Sequence, residues 1–248
     1  MGGRRGCRNV PNRSVIIMYK GEEIFEPIRI PAGRVMLEGD LAIPSGSRGI
    51  VLFAHGSGSS RYSSRNRFVA RRIRENGIGT LLFDLLTREE EAVDMNTRHL
   101  RFDIPLLASR LVEAAKWVLA NEITRGLELG FFGASTGGGA AIVAAAELGF
   151  NIKAVVSRGG RPDLAGDALR LVRSPVLLIV GGEDDLVIKL NELAYHRLQC
   201  EKDLEIIPGA THLFEEPGSL EIVADLAAEW FRDHLSPSYV YTDRVKVA

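Results

Sequence analysis

The sequence contains few cysteines and no cluster of them. Only Cys7 and Cys200 occur among its 248 residues, and neither belongs to a CxxC or Cys/His pattern. This scarcity argues against a disulfide framework and a structural zinc site, and we expect no metal. So little cysteine is typical of a reducing compartment, and we expect the chain to be cytoplasmic.

The chain also has no large excess of positive or negative charge, no long apolar run and few aromatic residues. The 31 lysines and arginines balance 32 aspartates and glutamates, for a net charge of −1. This balance favours neither nucleic acid nor an anionic membrane as a partner. No apolar run is long enough to span a membrane, and residues 15–19 are too short for a signal-peptide core. Aromatic residues make up 7% of the chain, which gives no support to a lipid- or polymer-gripping surface.

Strand-like and helix-like segments alternate along the chain. This alternation predicts one α/β domain over residues 15–238, built on a doubly wound, mostly parallel sheet. Residues 35–44 alternate around Gly39 and predict an antiparallel hairpin near the N-terminus. We expect residues 1–14 to form a flexible basic arm and residues 239–248 a tail. The predicted strands are 50–54, 80–84, 127–132, 154–157, 176–180 and 204–207, and the predicted helices are 65–76, 103–121, 137–148, 186–198 and 219–234.

Two segments, residues 86–102 and 158–172, do not fit this alternation. Both follow predicted strands. Because ligands of open α/β sheets bind where strands end, we expect both segments to be pocket walls.

The pentapeptide 133–137, Gly-Ala-Ser-Thr-Gly, lies between a predicted strand and a predicted helix. Strand, G-x-S-x-G and helix predict a nucleophile elbow with Ser135 at its tip. Side chains at Gly133 and Gly137 would collide with neighbouring chain. The alternative is a turn that only joins strand to helix, so partners elsewhere must decide.

A nucleophilic serine requires a histidine base. Three histidines follow Ser135. His196 falls within a predicted helix and His234 at the end of another, whereas His212 lies in a loop after a predicted strand. We therefore predict His212 as the base.

The orienting acid is expected between Ser135 and His212 in the chain. Three carboxylates follow the predicted strand 176–180. We favour Asp184, with Asp185 as the helix N-cap and Glu183 exposed.

The oxyanion hole requires two backbone N–H groups. We predict that Thr136 and Ser57 supply them. Gly56 and Gly58 would let the loop approach the substrate. His55 precedes the nucleophile, so a brace for the loop is favoured over a catalytic base, although His55 and Gly56 are also candidates for substrate contact.

Six motifs between residues 35 and 235 carry a resemblance to a known family. They are HGSGSS (55–60), RNR (65–67), GASTG (133–137), SRGGRPDL (157–164), GGEDD (181–185) and GATHLFEEPG (209–218). With these motifs the chain resembles the dienelactone hydrolase-related branch of the α/β-hydrolases. Founding members carry a nucleophilic cysteine where this chain has Ser135, so the resemblance implies serine esterase chemistry on short to medium acyl esters or lactones, without a cofactor.

Four arginines lie in loops beside the predicted site, and one or two could select substrates with a carboxylate or phosphate. The alternative is that they pair with Asp163, Asp167 or the acidic run 89–91. The candidates are Arg61, Arg65, Arg158 and Arg161.

Two other functions are considered. The fold could serve only for binding or for a partner domain. A nucleotide-binding loop at residues 133–139 is weakly supported, because the loop has neither GxGxxG spacing nor a GK[ST] motif.

Overall fold

A computed structural model describes residues 23–235 of the chain. The predicted arm 1–14, Cys7 and the predicted tail 239–248 lie outside this range. Within it, no helix is both long enough and apolar enough to cross a membrane.

The described residues contain eight strands: β1 Ile24–Ala32, β2 Val35–Ile43, β3 Gly49–Ala54, β4 Gly79–Phe83, β5 Glu128–Ala134, β6 Ile152–Arg158, β7 Val176–Gly181 and β8 Lys202–Ile207. They form one sheet in the order β1-β2-β4-β3-β5-β6-β7-β8. The pairs β1–β2 and β2–β4 are antiparallel, and the others are parallel. This architecture confirms the predicted α/β fold.

Helices cover both faces of the sheet because its strands bury side chains on both. In β3, Ile50 and Leu52 join the core on one face of the sheet, whereas Val51 and Phe53 join the core on the other face. Successive strand residues point to opposite faces, so an all-apolar strand feeds two cores. The helices are α1 Ser64–Glu75, α2 Arg88–Thr97, α3 Ile104–Ala120, α4 Thr136–Leu148, α5 Asp185–Arg197 and α6 Ser219–His234, with 3₁₀ turns at Leu100–Phe102, Gly149–Asn151 and Pro162–Arg170.

The N-terminal hairpin exists, but its predicted position is wrong. Residues 35–43 form one strand, β2, and the turn lies before it at Gly33, whose φ is +63°. Gly39 is mid-strand, paired with Ile28 and Phe83. A side chain at Gly39 would place its Cβ 3.0 Å from the Phe83 Cβ. Gly39 therefore allows close packing against β4 rather than a turn.

Residues 86–102 contain a helix, α2, that the sequence analysis missed. Thr87 and Glu90 form a capping box: the Thr87 hydroxyl accepts from the Glu90 N–H, and the Glu90 carboxylate accepts from the Thr87 N–H at 2.8 Å. Arg110 of α3 donates to the same carboxylate at 2.6 Å. Only Asp94 is buried among the α2 residues, so polar contacts rather than an apolar stripe position this helix.

Thr87→Ala should therefore fray the start of α2. Loss of an N-cap hydroxyl costs about 1 kcal/mol, which should raise amide exchange across α2 about fivefold. Thr97→Ala is the matched control, because the exposed Thr97 hydroxyl contacts the Val93 carbonyl and the exposed His99 ring but caps no backbone N–H of the helix. Equal exchange in the two variants would contradict the capping role.

Candidate active site

Five candidate residues meet at one edge of the sheet. His55 follows β3, Ser135 follows β5, Arg158 ends β6, Asp184 follows β7 and His212 follows β8. Because these strands are parallel, their carboxyl ends lie together. Ser135, Arg158 and His212 line a cleft of about 260 Å³.

Ser135 stands at a strained turn between β5 and α4. Its φ of +51° and ψ of −122° are rare for a residue with a side chain. A Cβ at Gly133 would lie 2.6 Å from the Gly138 Cα, and one at Gly137 would lie 2.7 Å from the His55 carbonyl oxygen. The prediction that both glycines are required by close packing is confirmed.

His212 and Asp184 form a hydrogen-bonded pair. The His212 Nδ1 lies 2.7 Å from the Asp184 Oδ2. Because a carboxylate can only accept a hydrogen bond, Nδ1 carries the proton in this pair. Nε2 is then left free to accept a hydrogen bond from another group. This is the tautomer that a general base needs.

The assignment of Asp185 as the α5 N-cap is wrong. Asp184 occupies the N-cap position, and Asp185 is the first residue of the helix. The Asp184 side chain makes no capping bond, because its carboxylate is directed to His212 instead.

The other two histidines that follow Ser135 in the chain lie away from the cleft. His196 is exposed on α5. His234 donates from Nδ1 to the Trp230 carbonyl at 2.7 Å and pairs with Glu201 through Nε2. Neither lines the cleft.

Ser135 and His212 line the same cleft, but no hydrogen bond joins them among the described contacts. The bond between nucleophile and base is often long without substrate and tightens when substrate binds. The structure thus brings the two residues together without the contact of the reacting state.

The predicted oxyanion loop lies against the nucleophile. A Cβ at Gly56 would lie 3.1 Å from the Ser135 Cβ, and Ser57 lines the cleft beside them. Thr136 is the first residue of α4, where helix geometry gives the N–H no acceptor within the helix. That the Ser57 and Thr136 amides hold an oxyanion stays a prediction.

His55 connects this loop to the chain after β4. Its Nε2 accepts from the Leu85 N–H at 3.1 Å, and its Nδ1 lies 3.0 Å from the Gly56 carbonyl oxygen, to which it donates. The bond from Leu85 requires an unprotonated Nε2, and burial lowers the pKa of His55 below its ordinary value, which favours the same neutral ring. These contacts support the bracing role over that of a base.

Three of the four predicted arginines form ion pairs, and two of these three, Arg61 and Arg161, lie outside the cleft. Arg61 pairs with Asp84 and Glu38. Arg161 makes a two-pronged contact with Asp163, both distances being 2.8 Å, which is the alternative pairing considered from the sequence. Neither arginine lines the cleft.

A second cavity of about 600 Å³ adjoins the cleft. The two share Gly56, Ser57, Ser59 and Ser63. Residues of the segment 86–102 form one wall. Burial raises the pKa of the Glu91 carboxyl on that wall. The remaining lining includes Leu85, Leu86, Asp94, Met95, Arg101 and Leu107.

The sequence analysis gave no role to Asn66, which lies on α1 and lines the cleft. Its Oδ1 accepts from the Arg158 guanidinium at 3.2 Å. Its place in the RNR motif beside the oxyanion loop was a signal, but its burial was not visible in the sequence. Within residues 23–235, no group of three or more His, Cys, Asp or Glu side chains is arranged to hold a metal.

Residues 47–228 match the sequence family described as an alpha/beta hydrolase domain. The chain belongs to the α/β-hydrolases. It is 59% identical to dienelactone hydrolase from Anabaena variabilis, whose crystal structure superposes with a TM-score of 0.84 over 88% of this chain and all of that one. This likeness supports the dienelactone hydrolase-like branch.

Other relatives are similar in part of their length or in fold alone. Two proteins from Mycobacterium tuberculosis strains, provisionally named phosphoribosyl transferases, are 56% identical over 210 residues. The match covers 85% of this hydrolase chain and 46% of theirs, so the chain spans about half their length. Est1E from Butyrivibrio proteoclasticus is 16% identical with a TM-score of 0.70, covering 84% of this chain and 98% of its own, and shows the same fold.

Gly137→Ala should disrupt the elbow. The added methyl would meet the backbone of β3, which cannot move aside as a side chain can, so we expect a loss of at least about 3 kcal/mol in the free energy of unfolding. Gly46→Ala is the control for space: unlike Gly137, Gly46 has a positive φ of +76°, but it has open space around it. This variant should lose only about 1–2 kcal/mol, the cost of a strained backbone. Urea unfolding of both variants measures the difference, and equal losses would contradict the steric argument.

The buried neutral His55 should make stability fall in mild acid. Its folded-state pKa is lower than the ordinary 6.5, so below about pH 6.5 the unfolded chain binds more protons than the folded one. The contribution of neutral His55 to the free energy of unfolding is therefore intact above pH 6.5. It is lost as the pH falls, by up to about 1.4 kcal/mol per pH unit. Urea unfolding between pH 7.5 and 5 should show a shallower slope in His55→Gln. The control, His196→Gln, should keep the wild-type slope, and parallel slopes in all three proteins would contradict the assignment.

Proposed function

We propose that this α/β-hydrolase is a serine esterase that cleaves short to medium acyl esters and lactones through an acyl-enzyme. The observation that carries the proposal is the 2.7 Å bond between His212 Nδ1 and Asp184 Oδ2 beside Ser135 at its strained turn. Nucleophile, base and acid follow in the chain order of this fold.

In the proposed reaction the Ser135 Oγ attacks the ester carbonyl while the His212 Nε2 takes its proton. The Asp184 carboxylate stabilises the imidazolium that forms. The amides of Ser57 and Thr136 hold the negative oxygen of the tetrahedral intermediate. His212 then protonates the leaving alcohol, and a water activated by the same ring hydrolyses the acyl-enzyme.

The cavity beside the cleft supports a substrate of modest size. Its volume of about 600 Å³ is in the range of pockets for small organic molecules. Leu86, Met95 and Leu107 give it an apolar wall for an acyl or alcohol group. The serines of the predicted oxyanion loop add polar groups to the lining.

The names of the relatives bear on the substrate in different ways. The dienelactone hydrolase at 59% identity supports hydrolysis of an ester bond within a lactone. The name phosphoribosyl transferase belongs to whole proteins about twice as long as the matched region. We therefore take the substrate class from the cleft rather than from that name.

The decisive experiment is hydrolysis of p-nitrophenyl esters of increasing acyl length. Ser135→Ala and His212→Ala should each lower kcat by at least about 10³-fold, because the triad acts as a unit. His196→Ala is the matched control and should keep wild-type rates. Full activity in His212→Ala would overturn the proposed base.

A domain that only binds would be revealed by a fluorophosphonate probe. The proposed enzyme is labelled at Ser135, and Ser135→Ala is not. Intact wild-type protein that neither reacts with the probe nor hydrolyses any ester would favour the binding function.

A further inference from the structure

Arg158 is a buried cation without a carboxylate partner. Its side chain is 5% exposed, and its guanidinium donates to the neutral Asn66 Oδ1 at 3.2 Å. Two other arginines in the described range are similarly buried: Arg61 pairs with Asp84, and Arg110 pairs with Glu90. Arg158 differs from both, since none of the described ion pairs includes it.

This arrangement is unfavourable for the protein alone. Burial and the nearby Arg65 lower the pKa of Arg158 to about 10, and its buried Nε has no hydrogen-bond partner in the described structure. A buried charge is ordinarily paired, because removal from water is costly. A group kept charged at such a cost beside a nucleophile is a candidate for function.

Arg65 brings a second positive charge to the same cleft. Its Nη1 contacts the exposed carboxylate of Glu215 at 3.1 Å, while its buried Nε has no partner in the described range. The described residues that line the cleft include these two arginines and no aspartate or glutamate. The cleft therefore has a positive wall within the same small volume as Ser135 and His212.

We propose that Arg158 and Arg65 form an anion subsite, so that the ester cleaved at Ser135 carries a carboxylate or phosphate group. The proposal rests on the serine esterase function. A guanidinium can bind such a group with two parallel hydrogen bonds, and Arg158 has unused donor capacity for it. The anion would supply the countercharge that Arg158 lacks, and it would orient the ester carbonyl towards the nucleophile.

The first test compares two esters with acyl chains of four carbons. Mono-p-nitrophenyl succinate carries a carboxylate, and p-nitrophenyl butyrate does not. In Arg158→Met the ratio of kcat/KM for succinate over butyrate should fall at least about tenfold, the loss expected for a hydrogen-bonded charge pair. Arg158→Lys should fall in between, since it keeps the charge without the planar fork.

Arg161→Met is the matched control, because the Arg161 side chain lies on the same loop but pairs with Asp163 outside the cleft. It should keep the wild-type ratio. Arg65→Met should lower the ratio too, and it keeps the test valid if Arg158→Met fails to fold. An unchanged ratio in folded Arg158→Met would overturn the proposal. If Arg158→Met does not fold, an unchanged ratio in Arg65→Met would overturn it instead.

The second test measures binding without turnover. Inorganic phosphate or succinate should raise the thermal midpoint of Ser135→Ala but not that of Ser135→Ala/Arg158→Met. The anion with the larger shift identifies the preferred group. No shift with either anion would overturn the subsite. Anion binding that depends on Arg158, in a protein that hydrolyses no ester, would instead support the subsite and refute the esterase function.

Discussion

The site depends on a direct contact between two backbones. Helix α4 begins so close to β3 that the Gly137 Cα lies over the Ala54 and His55 carbonyls, with no space for a side chain between them. This contact forces the chain through a left-handed turn at Ser135. It also sets Gly56 against the Ser135 Cβ. Ser135 and the predicted oxyanion loop are thus positioned by the same close approach.

Different kinds of interaction hold the other parts of the site. The Asp184–His212 pair joins the loops after β7 and β8 through one short hydrogen bond. The predicted oxyanion loop is held by His55, whose bond from the Leu85 N–H forms only when the ring is neutral. The rigid sheet supplies the positions of these groups, and a few polar contacts supply their orientation.

The parts of the fold with strong periodicity were predictable. Apolar strands such as β7 and the amphipathic α3 bury their side chains in a repeating pattern that the sequence displays. The edge strand β1 was not predicted because Pro27 and Pro31 lie within it and proline ordinarily argues against a strand. Proline is tolerated here because an edge strand leaves some of its N–H positions unpaired. Helix α2 was not predicted because its residues are mostly exposed, so it has no apolar stripe in the sequence.

At the site, chain order predicted which residues lie together, such as Ser135 and His212, better than it predicted the contacts of their neighbours. Arg61 and Arg158 both lie at or after the end of a strand, and the sequence does not show which of them has a carboxylate partner. Their difference is set by distant residues, since Arg61 meets acids from β2 and the end of β4 whereas Arg158 meets Asn66 of α1. Such long-range pairing is a property of the folded chain.

The oxyanion loop is tethered at both ends to one short stretch of chain. At its start the His55 ring accepts from the Leu85 N–H, and just past its end the Arg61 N–H donates to the Asp84 Oδ1 at 2.7 Å. Residues 84 and 85 lead directly into α2, the wall of the larger cavity. The loop that carries Ser57 and the wall of the larger cavity are therefore anchored to the same two residues of chain. A substitution that displaces residues 84 and 85 would disturb both the cavity wall and the loop that lies against Ser135.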